Sequence, residues 1–351
     1  MVMSGKSSRL SFSLVYSPAL VVILLLSFLF SWHPNAHAND FKRSFCIFDV
    51  AGANGPLFDA AKDIRLEAMG WGNYEIELLP YTNESVLNED FKSGKCDAAT
   101  LTGIRSRSFN KFIGSVDSPG GVLDYEQFKL LHKVLNHPKY HSKISNDRYE
   151  LAGISPLGMA YVFVNDRAIT SIAKAAGKRV AMLEFDPVQA KIVSQVGATP
   201  VASSLVDFTR KFNNGVVDII AAPAAAFSVF ELYRGIDPNG GIVRYPLTIL
   251  TAQLLVHKNR FTPEFLVKSR EYSLNNFERA TKIIAQEVAK IDEKYWIDIP
   301  ENEKPQYEGL MQELRVQLRD EGYFDAEMMR ILRKIRCKSD RTRAECVNPV
   351  E

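Results

Sequence analysis

Residues 177–223, "GKRVAMLEFDPVQAKIVSQVGATPVASSLVDFTRKFNNGVVDIIAAP", alternate short apolar runs with amphipathic helical patterns, and each change of pattern carries its own stop signal. "KRVAML" reads as a strand with Arg179, Ala181 and Leu183 on one face. Asp186 suits a helix N-cap and Pro187 the first helical position; Val188, Ile192 and Val196 then form an i, i+4, i+8 stripe that Gly197 ends. "TPVAS" is the next strand, "SLVDFTRKFNNG" a helix with Leu205, Phe208 and Phe212 inward, and "VVDIIAA" a third strand, after which Pro223 opens another helix. Strands that alternate with helices in this way indicate βαβ units and a parallel sheet.

An earlier series has the same rhythm. Strand 45–50, the loop "AGANG", helix 56–70, strand 74–80, helix 85–93 and strand 96–102 form a first α/β unit, and "AYVFVN" (160–165) with a short helix at "ITSIAKAAG" leads into the second. "LTILTAQLLVHKNRF" (247–261) reads as a long strand passing back to the first unit, and roughly 263–336 is helical. The predicted fold class is therefore α/β and periplasmic-binding-protein-like: two doubly wound lobes, a ligand cleft between them and a helical C-terminal region. Lobe I takes residues 39–158 and about 249–287, lobe II residues 159–248 and about 288–336, and 337–351 is a C-terminal tail. Ligands on such sheets sit beyond the carboxyl ends of the strands, where helix N-termini converge.

The first 38 residues read as a cleavable export signal. Lys6 and Arg9 are its basic region, Ala19 to Phe30 its apolar run, and Ala36-His37-Ala38 its small-residue cleavage site. The run is shorter than the ~20 apolar residues of a membrane span, and nothing later approaches that length. An uncleaved anchor is the competing reading. The whole chain has 43 Lys+Arg against 41 Asp+Glu. Two of those cations lie in the leader, so the mature chain is balanced and shows no nucleic-acid footprint. Four cysteines in an exported chain suit two disulfides. Cys46 and Cys96 fall on neighbouring strands of a doubly wound sheet, and Cys337 with Cys346 closes a small loop; zinc, the alternative, lacks a C-x-x-C pair.

Catalytic motifs are absent from the pattern. "DVAGANG" is neither G-x-G-x-x-G nor a P-loop, and "GISPLG" misses the nucleophile-elbow spacing. His132, His137 and His141 read as a solvated loop rather than a metal site. The expectation is a non-enzyme without cofactor or metal.

The 177–223 stretch resembles the central signature of solute-binding proteins of tripartite ATP-independent periplasmic (TRAP) transporters. "ELLPYTNESVLNEDFKSGKCDAATLTGIRSR" is similar to an earlier stretch of that family, so that the resemblance spans roughly residues 44–290. It implies a periplasmic protein that closes around a small solute and delivers it to membrane transporter subunits. It also implies that Arg179 pairs with the solute's carboxylate and that Arg105 adds donors from lobe I; Asp49, Thr102, Tyr161, Glu184 and Phe185 are further candidate ligand residues read from this chain itself. The chain departs from the family at Ala160, beside Tyr161, where many members have an arginine, at Ala222-Pro223, and at Glu184, Phe185 and Asp186. Fewer polar partners and added carboxylates point to a zwitterionic solute, its acid on Arg179 and its amine on Glu184 or Asp49. Blander roles stay open: Arg179 as a surface residue paired with Glu184, and Asp186 and Asp49 as helix caps. A protein of the same fold serving a sensor, or an RND-type efflux system with a cationic, aminoglycoside-like ligand, is the alternative.

Overall fold

The computed structural model describes residues 41–351; the export signal read at 1–38 lies outside the described residues. Its organising feature is a nine-stranded mixed sheet in the order β2-β1-β3-β8-β4-β7-β5-β6, with a short ninth strand on β8. The strands are β1 (Lys42–Phe48), β2 (Glu75–Tyr81), β3 (Ala98–Thr102), β4 (Tyr149–Val164), β5 (Arg179–Leu183), β6 (Thr199–Ser203), β7 (Ile219–Pro223), β8 (Gly241–His257) and β9 (Trp296–Ile297). On one side β2, β1 and β3 are parallel, and on the other β7, β5 and β6 are parallel. Between them β4 and β8 run antiparallel to each other and to their outer neighbours.

The two parallel series were legible, but the central pair corrects the sequence reading. β4 begins at Tyr149, eleven residues before the predicted strand, and takes in "GISPLG". Gly153, Ser155, Pro156 and Gly158 break the side-chain alternation there, and the ladder absorbs them in register shifts beside Gly153 and Gly158. β8 likewise starts at Gly241 rather than 247. The predicted boundaries at 158/159 and 248/249 thus fall inside the two longest strands, and 42–351 is one compact unit. The helix expected at 169–177 is only a 3-10 turn, Ala173–Ala175.

Pro223, expected to open a helix, instead ends β7 and is followed by the 3-10 turn Ala224–Ala226, whereas the helix after β5 starts and stops where its local signals put it. Asp186 caps the helix Pro187–Gln195 by accepting from the Val188 N–H at 3.1 Å, and Gly197 adopts φ +72° just beyond its end. Helices cover both faces of the sheet. Along β1, Phe45 and Ile47 pack into one apolar cluster with Phe265 while Cys46 and Phe48 pack into another with Phe91, the period-2 alternation of a strand buried on both faces. On the far side Phe163, Leu183, Phe212 and Ile220 share a third cluster.

His132 corrects the histidine reading. It is buried in the helix Tyr125–Leu135, and burial pushes its imidazole down to about 4, so it is a neutral core residue.

Both expected disulfides are present, Cys46–Cys96 and Cys337–Cys346. Cys46–Cys96 closes a loop across 50 residues, and both of its cysteines are fully buried. Replacing both by serine is expected to lower unfolding free energy by roughly 4 kcal/mol through restored chain entropy; urea denaturation of the full chain measures it.

Candidate functional site

The carboxyl ends of β1, β3, β5 and β7 open on a cavity of about 1200 Å³. Thr102 and Arg107 line it from β3 and the segment that follows, Ala160 from β4, Asp186 from beyond β5, Ala222 from β7 and Thr248 from β8. Ala160 pairs in register with both Thr248 and Pro223, so these small residues lie side by side on the sheet. The Thr248 hydroxyl is buried and has no hydrogen-bond partner.

Two arginines cross from the segment after β3 to the loop after β5. Arg107 Nη1 donates to Asp186 Oδ1 at 2.9 Å and its Nε to the Gly114 carbonyl at 3.3 Å, with the guanidinium 5.1 Å from the Phe324 ring. Arg105 lies over Phe185, 3.3 Å from the ring centroid, a cation–π contact. Behind it Glu84 Oε1 accepts from the Thr102 N–H at 2.6 Å, while Glu84 Oε2 and Arg105 Nε stand 3.6 Å apart and neither has a hydrogen-bond partner. Burial pushes the Glu84 and Asp186 carboxyls up, and Arg107 opposes that shift at Asp186.

Of the predicted ligand set, the structure brings Arg105, Thr102, Glu184 and Phe185 to one region and places the others elsewhere or in other roles. Arg179 is the first residue of β5, at the strand end opposite the Glu184–Asp186 loop, and does not line the cavity. Its side chain is 47% exposed and is held by Asp218, with Nη2 to Oδ1 at 2.7 Å and Nε to Oδ2 at 3.0 Å. Those bonds from Arg179 hold the Asp218 carboxyl down at about 2. The surface role is therefore the one seen, with Asp218 in place of Glu184 as partner. The reason is positional: ligands collect at carboxyl ends of strands, and Arg179 opens its strand.

Asp49 lines the cavity, but its oxygens are occupied by the N–H groups of Ala51, Leu57 and Phe58 at 3.0, 2.7 and 3.2 Å, which makes it a loop and helix cap. Thr102 caps the short helix Gly103–Ser106 through its hydroxyl. Tyr161 packs edge-on against Trp296 at 5.2 Å, beside the cavity rather than on it. Glu184 is exposed and Phe185 half-buried under Arg105.

Residues passed over by the sequence reading carry the buried polarity. Arg107, two residues beyond the favoured Arg105, lines the cavity, as does Arg279. Asp117 is buried there, with Oδ1 accepting from the Thr251 hydroxyl at 2.6 Å and Oδ2 from the Thr251 N–H at 3.0 Å. Nothing local marks Asp117, because its partner lies 134 residues away on β8.

The protein-family model for "Solute-binding protein AdeT 1/2" matches residues 66–349. The chain belongs to that family of solute-binding proteins. It is 41% identical over 300 residues to the probable solute-binding protein AdeT1 of Acinetobacter baumannii, a match covering 86% of this chain and 98% of the relative. To AdeT2 of the same organism it is 26% identical over 234 residues, 67% of this chain and 98% of the relative. Among solved structures it is similar to a TRAP periplasmic solute-binding protein from Desulfovibrio salexigens with bound orotic acid, at TM-score 0.68 and 13% identity, covering 85% and 99% of the two chains. A second, from Xanthobacter autotrophicus Py2 with bound β-D-galacturonate, gives TM-score 0.66 at 14% identity over 84% and 99%. The fold is thus that of TRAP solute-binding proteins, and the family is one of binding proteins rather than enzymes. Among the described residues no helix is long and apolar enough to cross a membrane.

Asp117 makes the cavity wall sensitive to pH. Burial pushes its carboxyl up to about 7. From about pH 4, the ordinary value, to about pH 7, the folded chain keeps a proton on Asp117 that the unfolded chain has lost, so the contribution of Asp117 to stability falls as pH rises, by up to about 1.4 kcal/mol per unit. His132, neutral when folded, contributes the opposite slope up to its ordinary value, so the test is the difference between chains: Asp117→Asn lacks only the Asp117 contribution, and the stability of the wild type relative to it should fall across that window. Urea titrations at several pH values check both the slope and its sign.

Proposed function

We propose that this chain is a two-lobed periplasmic binding protein that captures a small carboxylate-bearing solute in the cavity and delivers it to TRAP-type membrane subunits. The observation that carries the reading is Arg107: a guanidinium that lines the cavity from the segment after β3 and is already engaged by a carboxylate at 2.9 Å. A solute acid takes up the same planar donors, sharing or displacing Asp186. Arg105, beside the cavity rather than on it, is held by Phe185 and Glu84 and leaves Arg107 as the donor to the acid.

The solute is zwitterionic on this reading. Six carboxyl groups line the cavity, Asp49, Asp59, Asp63, Asp117, Asp186 and Glu287, against Lys62, Arg107 and Arg279, an excess that favours an added cation as well as an acid. The carboxylate excess also supports one alternative, a purely cationic solute passed to an efflux or sensor partner. The two disulfides suit an oxidising compartment and support the periplasmic assignment.

Native mass spectrometry of protein purified from periplasm, followed by calorimetry with the solute it carries, tests the class. An amino-acid-like ligand binding at least tenfold more tightly than its des-amino acid supports the zwitterion; equal affinity refutes it. Arg107→Gln should weaken binding of the acid at least tenfold, in line with about 1.5–3 kcal/mol for a hydrogen bond to a charged group. The double variant Arg107→Gln/Asp186→Asn, which leaves no unpaired buried charge, should bind as weakly while regaining stability. Unchanged affinity in both would remove Arg107 from the site. Loss of solute uptake on deleting the gene tests delivery.

A further inference from the structure

The segment 337–351 reads from sequence as a disulfide-closed, basic tail, yet two of its carboxylates, Glu345 and Glu351, are buried against the two most buried arginines among the described residues. Arg315, on the helix Lys304–Asp320, and Arg336, on the helix Ala326–Ser339, have side chains 1% and 0% exposed. Arg315 donates to Glu351 Oε1 at 2.7 Å and to Glu345 Oε2 at 2.8 Å. Arg336 donates to both oxygens of Glu345 and to Glu351 Oε2, each at 2.7 Å. The Cys337–Cys346 bridge joins the residues next to Arg336 and Glu345, which holds that pair in register.

Each guanidinium has one nitrogen left, and both of those reach the same loop. Arg315 Nη1 donates to the Pro119 carbonyl at 2.8 Å and Arg336 Nη1 to the Gly121 carbonyl at 2.9 Å. Between them Gly120 sits at φ +62°, where a Cβ would fall 2.6 Å from Arg315 Nη1. The loop lies along β8: Gly120 N–H donates to the Leu247 carbonyl at 2.6 Å, Ile249 N–H to the Val122 carbonyl at 3.1 Å, and Thr251 to Asp117. Asp117, Pro119, Leu247 and Thr248 all line the cavity.

We infer that Glu345 and Glu351 are positioning residues for the solute site: they neutralise Arg315 and Arg336, whose remaining N–H groups hold the 117–122 loop that forms one cavity wall. The inference rests on the cavity being the solute site. Two buried guanidinium groups stay dry only while carboxylates face them. With either carboxylate gone, the arginine gains more from water than from a backbone carbonyl, and the loop loses its outer anchor.

Hydrogen exchange by mass spectrometry on the full chain tests this without a ligand. In Glu351→Gln, and separately in Cys337→Ser/Cys346→Ser, which keeps all four charges, amides of 118–122 and 247–251 should exchange at least tenfold faster than in wild type. Those of β5 and β6 should be unchanged. Faster exchange confined to 340–351, or spread equally over the whole sheet, overturns the coupling. Where native mass spectrometry finds a solute on the wild type, the bound fraction should fall in both variants under conditions where each remains folded; an unchanged fraction overturns the positioning role. If the wild type carries no solute, the proposed function fails while the exchange result still decides the coupling.

Discussion

The ladder between β4 and β8 is the interaction on which the rest of the molecule depends. The two parallel series, β2-β1-β3 and β7-β5-β6, share no hydrogen bond; all pairing between them passes through these two strands. Parallel strands need long crossovers, whereas an antiparallel pair can extend as far as its residues permit. Here it extends from Tyr149 opposite His257 to Val164 opposite Gly241. Because β3 flanks the ladder on one side and the β7-β5-β6 series on the other, running in the opposite direction, the carboxyl ends of β3 and β5 converge from its two sides, and residues 79 apart in sequence, Arg107 and Asp186, make a direct bond. The register shifts along β4 fall where the cavity approaches the sheet, beside Gly158 and Ala160. A regular strand would carry its side-chain alternation straight through that point; a shifted one can turn a residue away and leave room.

Much of this architecture was legible because its signals are local. Asp186-Pro187 and Gly197 mark a helix within a dozen residues, and Cys46 and Cys96 lie on strands whose adjacency follows from the doubly wound order. The first half of β4 was not legible, since Gly153, Pro156 and Gly158 look like a loop unless the partner strand is known. The site was harder still. Arg179 looked like the anchor because its surroundings matched a motif, yet an arginine opening a strand stands at the wrong end for a ligand, and Asp218, 39 residues on, takes it. Arg107 and Asp117 carried no comparable signal, their partners being 79 and 134 residues away. Glu345 and Glu351, in the C-terminal tail, carried no signal for the same reason: Arg315 is 30 and 36 residues earlier, on another helix.

The buried charges fall into two groups with different roles. Arg315, Arg336, Glu345 and Glu351 are closed on themselves, every guanidinium nitrogen engaged, and removing one member would leave a neighbour buried and unpaired at a cost of roughly 3–5 kcal/mol. The group at and beside the cavity is open. Beside it Glu84 Oε2 and Arg105 Nε lack hydrogen bonds; on it Thr248 has a free hydroxyl, and Asp186 Oδ1 accepts from both a helix N–H and Arg107. Unsatisfied buried polar atoms are rare in folded chains and need a physical reason. A site that must exchange internal partners for those of a solute supplies one.

This contrast bears on how a largely apolar cavity can be selective. Ala160 and Ala222 point to opposite faces of the sheet, since they pair with Pro223 and Tyr161 at consecutive register positions, and each offers space without a hydrogen bond. On the proposed reading, recognition of charge falls on Arg107, Asp186 and Asp117, which act across an apolar interior where electrostatic interactions are less screened than in water. The same low screening penalises any solute whose charges do not match theirs, because an unpaired ion would have to be desolvated without compensation. Selectivity therefore comes from rejecting mismatched charge as much as from attracting the right one, and it requires that the three groups stay in fixed positions. Arg107 and Asp186 fix one another across the two sides of the sheet, Thr251 fixes Asp117, and the closed network behind the 117–122 loop keeps that wall in place.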